Sequence, residues 1–97
     1  MAGDASRPAG RVGIVCGSGG DAVGTAAAAG CDTFFTGEIR LHQAIDALSL
    51  GMAVIAVGHH ASERFAMDVL ARRLDDAVAG LSCRASRDEA DPLPWLA

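Results

Sequence analysis

"GMAVIAVGHHASER" (residues 51–64) decides how this chain is read. Six apolar residues, Met52 to Val57, stand between two glycines. The run is too short for a buried helix and apolar at odd and even positions alike, which predicts a strand covered on both faces, as in a parallel sheet. Two histidines follow it at once, with Glu63 three and four residues on. If a helix begins near His59, then His59 and Glu63 lie at i and i+4 on one helical face, where an imidazole nitrogen and a carboxylate oxygen can share a divalent ion. His60 and Glu63 are i and i+3, so spacing alone does not select the histidine. The competing reading is a glutamate in a first helical turn, favoured by the helix dipole, beside solvated histidines.

The same alternation extends outward. "RVGIVCG" (residues 11–17) predicts a first strand, "GGDAVGTAAAAG" (19–30) a short helix of very small residues, and "CDTFFTG" (31–37) a second strand. "EIRLHQAIDALSLG" (38–51) predicts a helix with Leu41, Ala44, Ile45 and Leu48 on its core face. Residues 61–79 predict a third helix, with Met67, Leu70, Ala71, Leu74 and Val78 inward. "LSCRAS" (81–86) predicts a fourth strand. Apolar strands alternating with amphipathic helices imply an α/β fold, a small three-layer sandwich around a mostly parallel sheet. Residues 1–10 are expected to be a disordered lead, 11–87 the α/β lobe and 88–97 a tail, in which Trp95 docks either on its own domain or on a neighbour.

With 97 residues the chain is one domain, and 51% hydrophobic content is ample for a core. Net charge is −4 and all eight basic residues are arginine, without a basic stripe, which argues against nucleic acid as a partner. No apolar run reaches the roughly 20 residues a membrane span needs. Cys16, Cys31 and Cys83 are odd in number and lack a C-x-x-C pair, so they are expected to be small buried hydrophobes in a reducing, cytoplasmic setting.

In a parallel sheet, function gathers beyond the carboxyl ends of the strands. The chain places polar loops there three times: "CGSGGD" after strand 1, "TGEIRLH" after strand 2 and "GHHASE" after strand 3. In the second loop Glu38 and His42 are spaced i, i+4, with Asp46 continuing the stripe. They offer further ligands or a proton-transfer pair, although such a stripe also describes a solvent face. In the first loop Gly17, Ser18, Gly19 and Gly20 fit a phosphate-binding turn at a helix N-terminus, the alternative reading being a small nucleotide- or phosphate-binding module. Cys16 is not a phosphatase nucleophile, since the arginine such a loop requires is replaced by Ala22.

Taken together, "GSGGD", "AGCDTFFTGEIRLHQAIDA" and "GMAVIAVGHHASER", in this order and spacing, resemble the C-terminal segment of the GTP cyclohydrolase 1 type 2-like (Ngg-interacting-factor-three-like) family. The resemblance covers about residues 12–74, with a looser match in "RDEADPLPW". It implies a dinuclear metal centre, with two Zn, Fe or Mn ions in a complete site, to which His59 and Glu63 contribute. That selects His59 over His60 and leaves His60 and His42 as weaker candidates; Glu63 is placed to bridge two ions. Thr36 to Glu38 and the glycine turn would line the same cavity, Glu38 handling protons or orienting a metal-activated water. The family's subunits are two-lobed α/β structures in hexameric rings, associated with metal-dependent hydrolysis of nucleotide-like small molecules. The other expected ligands, a histidine pair and an aspartate, belong to an N-terminal lobe, whereas only residues 1–10 precede the first matching strand. The chain is therefore expected to need that lobe or a homo-oligomeric partner, or else to serve as a non-catalytic oligomerisation lobe.

Overall fold

The computed structural model describes residues 1–94; Trp95 lies outside the described residues. Three parallel strands form one sheet in the order β1 (Val12–Ser18), β2 (Thr33–Glu38), β3 (Ala53–Ala56). Val12 pairs with Thr33 and Thr33 with Ala53, so the strands start in register. The connections are α1 (Val23–Ala28), entered through a 3-10 turn at Gly20–Ala22, and α2 (Leu41–Ser49). After β3 come α3 (His59–Glu63) and α4 (Phe65–Ala77), joined through Arg64 in helical conformation. The α/β class with a parallel sheet is as the sequence predicts.

The core sits between the sheet and α1/α2. Phe34, Ala47, Met52 and Val54 are nearly or wholly inaccessible, with Val23 and Ala26 from α1 beside them. The small residues of α1 have a packing reason. A methyl group on Gly13 of β1 would stand 3.3 Å from Ala26 Cβ and 3.2 Å from Cys31 Sγ, so helix and strand are in close contact. Central β2 is buried at Thr33, Phe34, Thr36 and Gly37. A buried hydroxyl needs partners. Thr36 Oγ1 accepts from the Gly19 amide (3.1 Å) and donates to Gly17 O (3.3 Å), tying β2 to the glycine turn.

Several expectations are corrected. Glu38 does not open α2. It is the last residue of β2, paired with Ser18, and the helix begins only at Leu41, where Gln43 Oε1 accepts from the Arg40 amide (3.2 Å). Leu41, Ile45 and Leu48 are exposed, and the buried residue of α2 is Ala47. In α4 only Ala71 is buried, while Met67, Leu70, Leu74 and, just past its end, Val78 are exposed. No strand forms at residues 81–86: the Cys83 amide donates to Asp75 Oδ1 (2.9 Å) on α4, so this segment follows the helix instead of joining the sheet. The lead is not free. Ala2 makes an antiparallel bridge with Val54, through Ala2 N to Val54 O (2.8 Å) and its reciprocal (2.9 Å). The second sheet face stays open at Val12 and Ile14, both exposed, where a third layer is expected. The radius of gyration, 16.5 Å, exceeds the roughly 12.5 Å of a compact chain this long, and the tail follows α4.

Arg64 binds that tail. Its guanidinium pairs with Asp68 (3.2 Å) and with Glu89, and donates to Ser86 O (2.5 Å), while Arg87 reaches Asp68 (3.3 Å). Among the described residues no helix is long and apolar enough to cross a membrane.

Candidate metal centre

The polar ends of all three strands meet at the carboxyl edge of the sheet. Gly58, two residues beyond β3 and immediately before α3, has φ +94°, a conformation that favours glycine, and its amide donates to Gly37 O (2.7 Å). The chain can therefore turn at once into α3, which crosses the ends of β1 and β2. Ser62 anchors the crossing. Its buried hydroxyl accepts from the Gly17 amide (2.9 Å) and donates to His59 O (2.8 Å). Close approach leaves no room for side chains here: a methyl group on Gly37 would meet Ser62 Oγ at 2.5 Å.

This crossing sets the His59 ring between two carboxylates. Nδ1 lies 2.9 Å from Glu38 Oε1, and Nε2 lies 3.3 Å from Glu63 Oε2. Glu38 Oε1 also accepts a short hydrogen bond from Ser18 Oγ. All three charged groups are about half exposed. The Ser18 hydroxyl, and after it His59, hold the Glu38 carboxyl below its ordinary value of 4.5. The hydrogen bond to Glu38, helped by the charge of Glu63, raises His59 above 6.5.

A carboxylate only accepts hydrogen bonds, and a neutral imidazole carries one N–H. With the Nδ1 proton given to Glu38, a neutral His59 turns a lone pair toward Glu63, itself a lone-pair donor. A proton on Nε2 or a cation satisfies that end. Tetrahedral ligands at about 2.1 Å from an ion stand roughly 3.4 Å from one another. The 3.3 Å separation of Nε2 and Oε2 fits that spacing. The donor set is small, however. Among the described residues no group of three or more His, Cys, Asp or Glu side chains is gathered to hold an ion, and His59 and Glu63 are two candidate donors.

The remaining candidates lie as follows. His60 lines the same cavity as His59, a cleft of about 600 Å³ walled by Ile39, Ala56 and, from the tail, Asp91, Pro92 and Leu93. Its Nε2 is buried without a hydrogen-bond partner among the described residues. His42 is not brought in. With Glu38 in a strand the supposed i, i+4 pair does not exist, and His42 borders a separate depression with Asp21 and Asp46. In the glycine turn, the amides of Gly17 and Gly19 are engaged by Ser62 and Thr36, and the Ser18 hydroxyl by Glu38. A methyl group on Gly20 would collide with Gln43. The turn serves close packing, with two of the donors of a phosphate cradle already used. The residue that sequence reasoning missed is Ser62. Its position three after His59, between an alanine and the glutamate, was the available signal.

Comparison with known proteins agrees with this architecture. A 66-residue stretch is 42% identical to the GTP cyclohydrolase 1 type 2 homolog of Deinococcus radiodurans, covering 68% of this chain and 25% of the relative. The protein NIF3 homolog of Schizosaccharomyces pombe is 35% identical over 91 residues, 89% of this chain and 32% of its own length. The crystal structure of a Bacillus cereus protein related to NIF3 superposes with a TM-score of 0.69 at 25% identity, over 88% of this chain and 24% of that one. The chain thus spans between a quarter and a third of these relatives. The sequence model of the Duf34/NIF3 (NGG1p interacting factor 3) family matches residues 1–92, and the chain belongs to that family.

Proposed function

We propose that this chain is a metal-binding lobe of a GTP cyclohydrolase 1 type 2-like protein, holding a divalent ion through His59 Nε2 and Glu63. The carrying observation is the 3.3 Å approach of His59 Nε2 to Glu63 Oε2, with Nδ1 engaged by Glu38 on the other side of the ring. The names of the relatives support a hydrolytic role on a nucleotide-like small molecule for the whole protein. A divalent ion with nitrogen and oxygen ligands supplies Lewis acidity for such a reaction, and Zn, Fe and Mn all accept this donor set. The chain's own part is to present the two donors on a single helical turn, to fix their spacing through Ser62 and Gly17, and to wall the adjoining cleft with apolar surface.

Two ligands are fewer than the three or four that hold an ion tightly. The centre is therefore completed by a further lobe or a second copy of this chain. The exposed apolar residues Ile14, Ile45, Leu70 and Leu74 favour such an assembly over an isolated monomer. The free cysteines support a reducing, cytoplasmic setting.

The test is metal content per chain by elemental analysis across a size-exclusion profile, for wild type, His59→Ala and Glu63→Ala. A first-row metal co-eluting with an oligomer and lost in both variants is the expected result. Equal metal content in all three, or none at any size in wild type, overturns the reading for this chain.

A further inference from the structure

We propose that Glu38 is a positioning residue: its carboxylate accepts a hydrogen bond from His59 Nδ1–H and so leaves the Nε2 lone pair facing Glu63 and an incoming divalent cation. This rests on the reading of His59 and Glu63 as ligands.

Three observations carry it. The contact between Glu38 Oε1 and His59 Nδ1 is 2.9 Å, and because a carboxylate is acceptor-only the proton sits on the imidazole. Glu38 is itself held. It ends the central strand, its backbone paired with Ser18, and the Ser18 hydroxyl donates to the same Oε1 that faces the ring. The ring's far nitrogen is also the one beside Glu63, so the tautomer that Glu38 selects is the tautomer a cation needs. A metal-binding histidine commonly gives its other N–H to a carboxylate in this way, and the outer partner fixes both ring orientation and basicity. Glu38 belongs to a different strand and loop from the two ligands, so the motif around His59 does not contain it. Its contribution arises only when β2 and α3 are brought together.

The tautomer is read directly by long-range proton–nitrogen correlation of the imidazole in the full, metal-free chain, at a pH well above the histidine range. In wild type, His59 is expected to carry its proton on Nδ1. In Glu38→Ala it is expected to revert to mainly Nε2–H. Glu38→Gln keeps Nδ1–H, because the Ser18 hydroxyl orients the amide oxygen toward the ring. A merely structural role for Glu38 would not produce this switch with rescue. If Glu38→Ala does not fold, Glu38→Met, of similar length and without an acceptor, repeats the measurement.

The second readout is a Zn(II) competition titration, in which loss of the outer carboxylate weakens binding about 10- to 100-fold and Glu38→Gln recovers most of it. A wild-type Nε2–H tautomer, or an unchanged tautomer and zinc affinity in Glu38→Ala while His59→Ala loses the metal, overturns the role of Glu38 and leaves the ligand reading standing. Unchanged zinc affinity in His59→Ala overturns the ligand reading itself, and the proposal with it.

Discussion

Gly17→Ala separates the backbone requirement of the glycine turn from its role at the site. Gly17 has φ +68°, and a methyl group there would stand 2.5 Å from Glu63 Oε1 and 3.2 Å from His59 Nε2. Gly51 has a comparable φ of +83° with nothing within 4 Å of the added methyl. Each substitution carries the left-handed backbone penalty of about 1–2 kcal/mol. A stiffer unfolded chain offsets roughly 0.4–1 of it, leaving about 1 kcal/mol net. In a chain of this size that lowers Tm by about 5 °C. The clash at Gly17 adds little to stability, because both obstructed groups are half-exposed side-chain ends that can swing outward. It does alter the pair. The carboxylate must retreat about 0.9 Å to restore an ordinary 3.4 Å contact from 2.5 Å, whereas metal–ligand distances tolerate only about 0.2 Å. The two variants are therefore expected to melt alike, while Gly17→Ala loses zinc affinity tenfold or more (about 1.4 kcal/mol) and Gly51→Ala keeps it. Thermal denaturation and zinc competition measure both. Wild-type affinity in Gly17→Ala, or equal losses in the two variants, would refute the argument.

Other perturbations probe the supporting contacts. Ser62→Ala leaves the Gly17 amide buried without its partner and is expected to cost about 1–3 kcal/mol in urea denaturation. Thr36→Val, similar in shape, removes the acceptor for the Gly19 amide and is expected to cost a similar amount, whereas Phe34→Ala, at 0% exposure, costs about 3–5 kcal/mol through its cavity. In the metal-free chain the raised His59 pKa makes its pairing contribute fully below pH 6.5 and fade as pH rises through the folded value. The lowered Glu38 pKa contributes above 4.5 and fades as pH falls through its folded value. Their joint contribution is thus expected to be largest between 4.5 and 6.5 and smaller in Glu38→Ala, where Glu63 alone faces His59, as stability measured against pH will show. Arg64→Ala releases Ser86 and Glu89, so backbone amides of residues 86–91 are expected to exchange faster with deuterium while β1 to β3 are unaffected.

What was legible in the chain followed the physics each pattern reports. Apolarity at both parities of 52–57 marked β3, because a strand covered on both faces has no polar side to show. The amphipathic stripes of α2 and α4 were equally plain in sequence, yet Leu41, Ile45, Met67 and Leu70 lie exposed. Periodicity states that a face seeks cover; it does not state that the same chain supplies it. Residues 81–86 failed as a strand for a competing local reason. The carboxylate of Asp75 takes the Cys83 amide and Arg64 takes the Ser86 carbonyl, so the segment binds to α4 before any ladder can hold it.

The site divides along the same line. His59 and Glu63, four apart on one helical turn, were one of two pairs that the spacing allowed, and the family resemblance singled them out from His60 and Glu63. The resemblance placed Glu38 at the same cavity, but its contacts were not visible, since the i, i+4 match to His42 assumed a helix and the chain continues as strand through residue 38. Its true partners, Ser18 and His59, are each about twenty residues away and meet it only through parallel pairing of β1 with β2 and the crossing of α3. The local motif thus supplies two donor atoms that face each other, and the non-local fold sets which nitrogen of His59 is engaged by Glu38. A change in β2 register would leave every residue of "HHASER" in place and still lose the Glu38–His59 contact, because one step along the strand turns Glu38 to the opposite face.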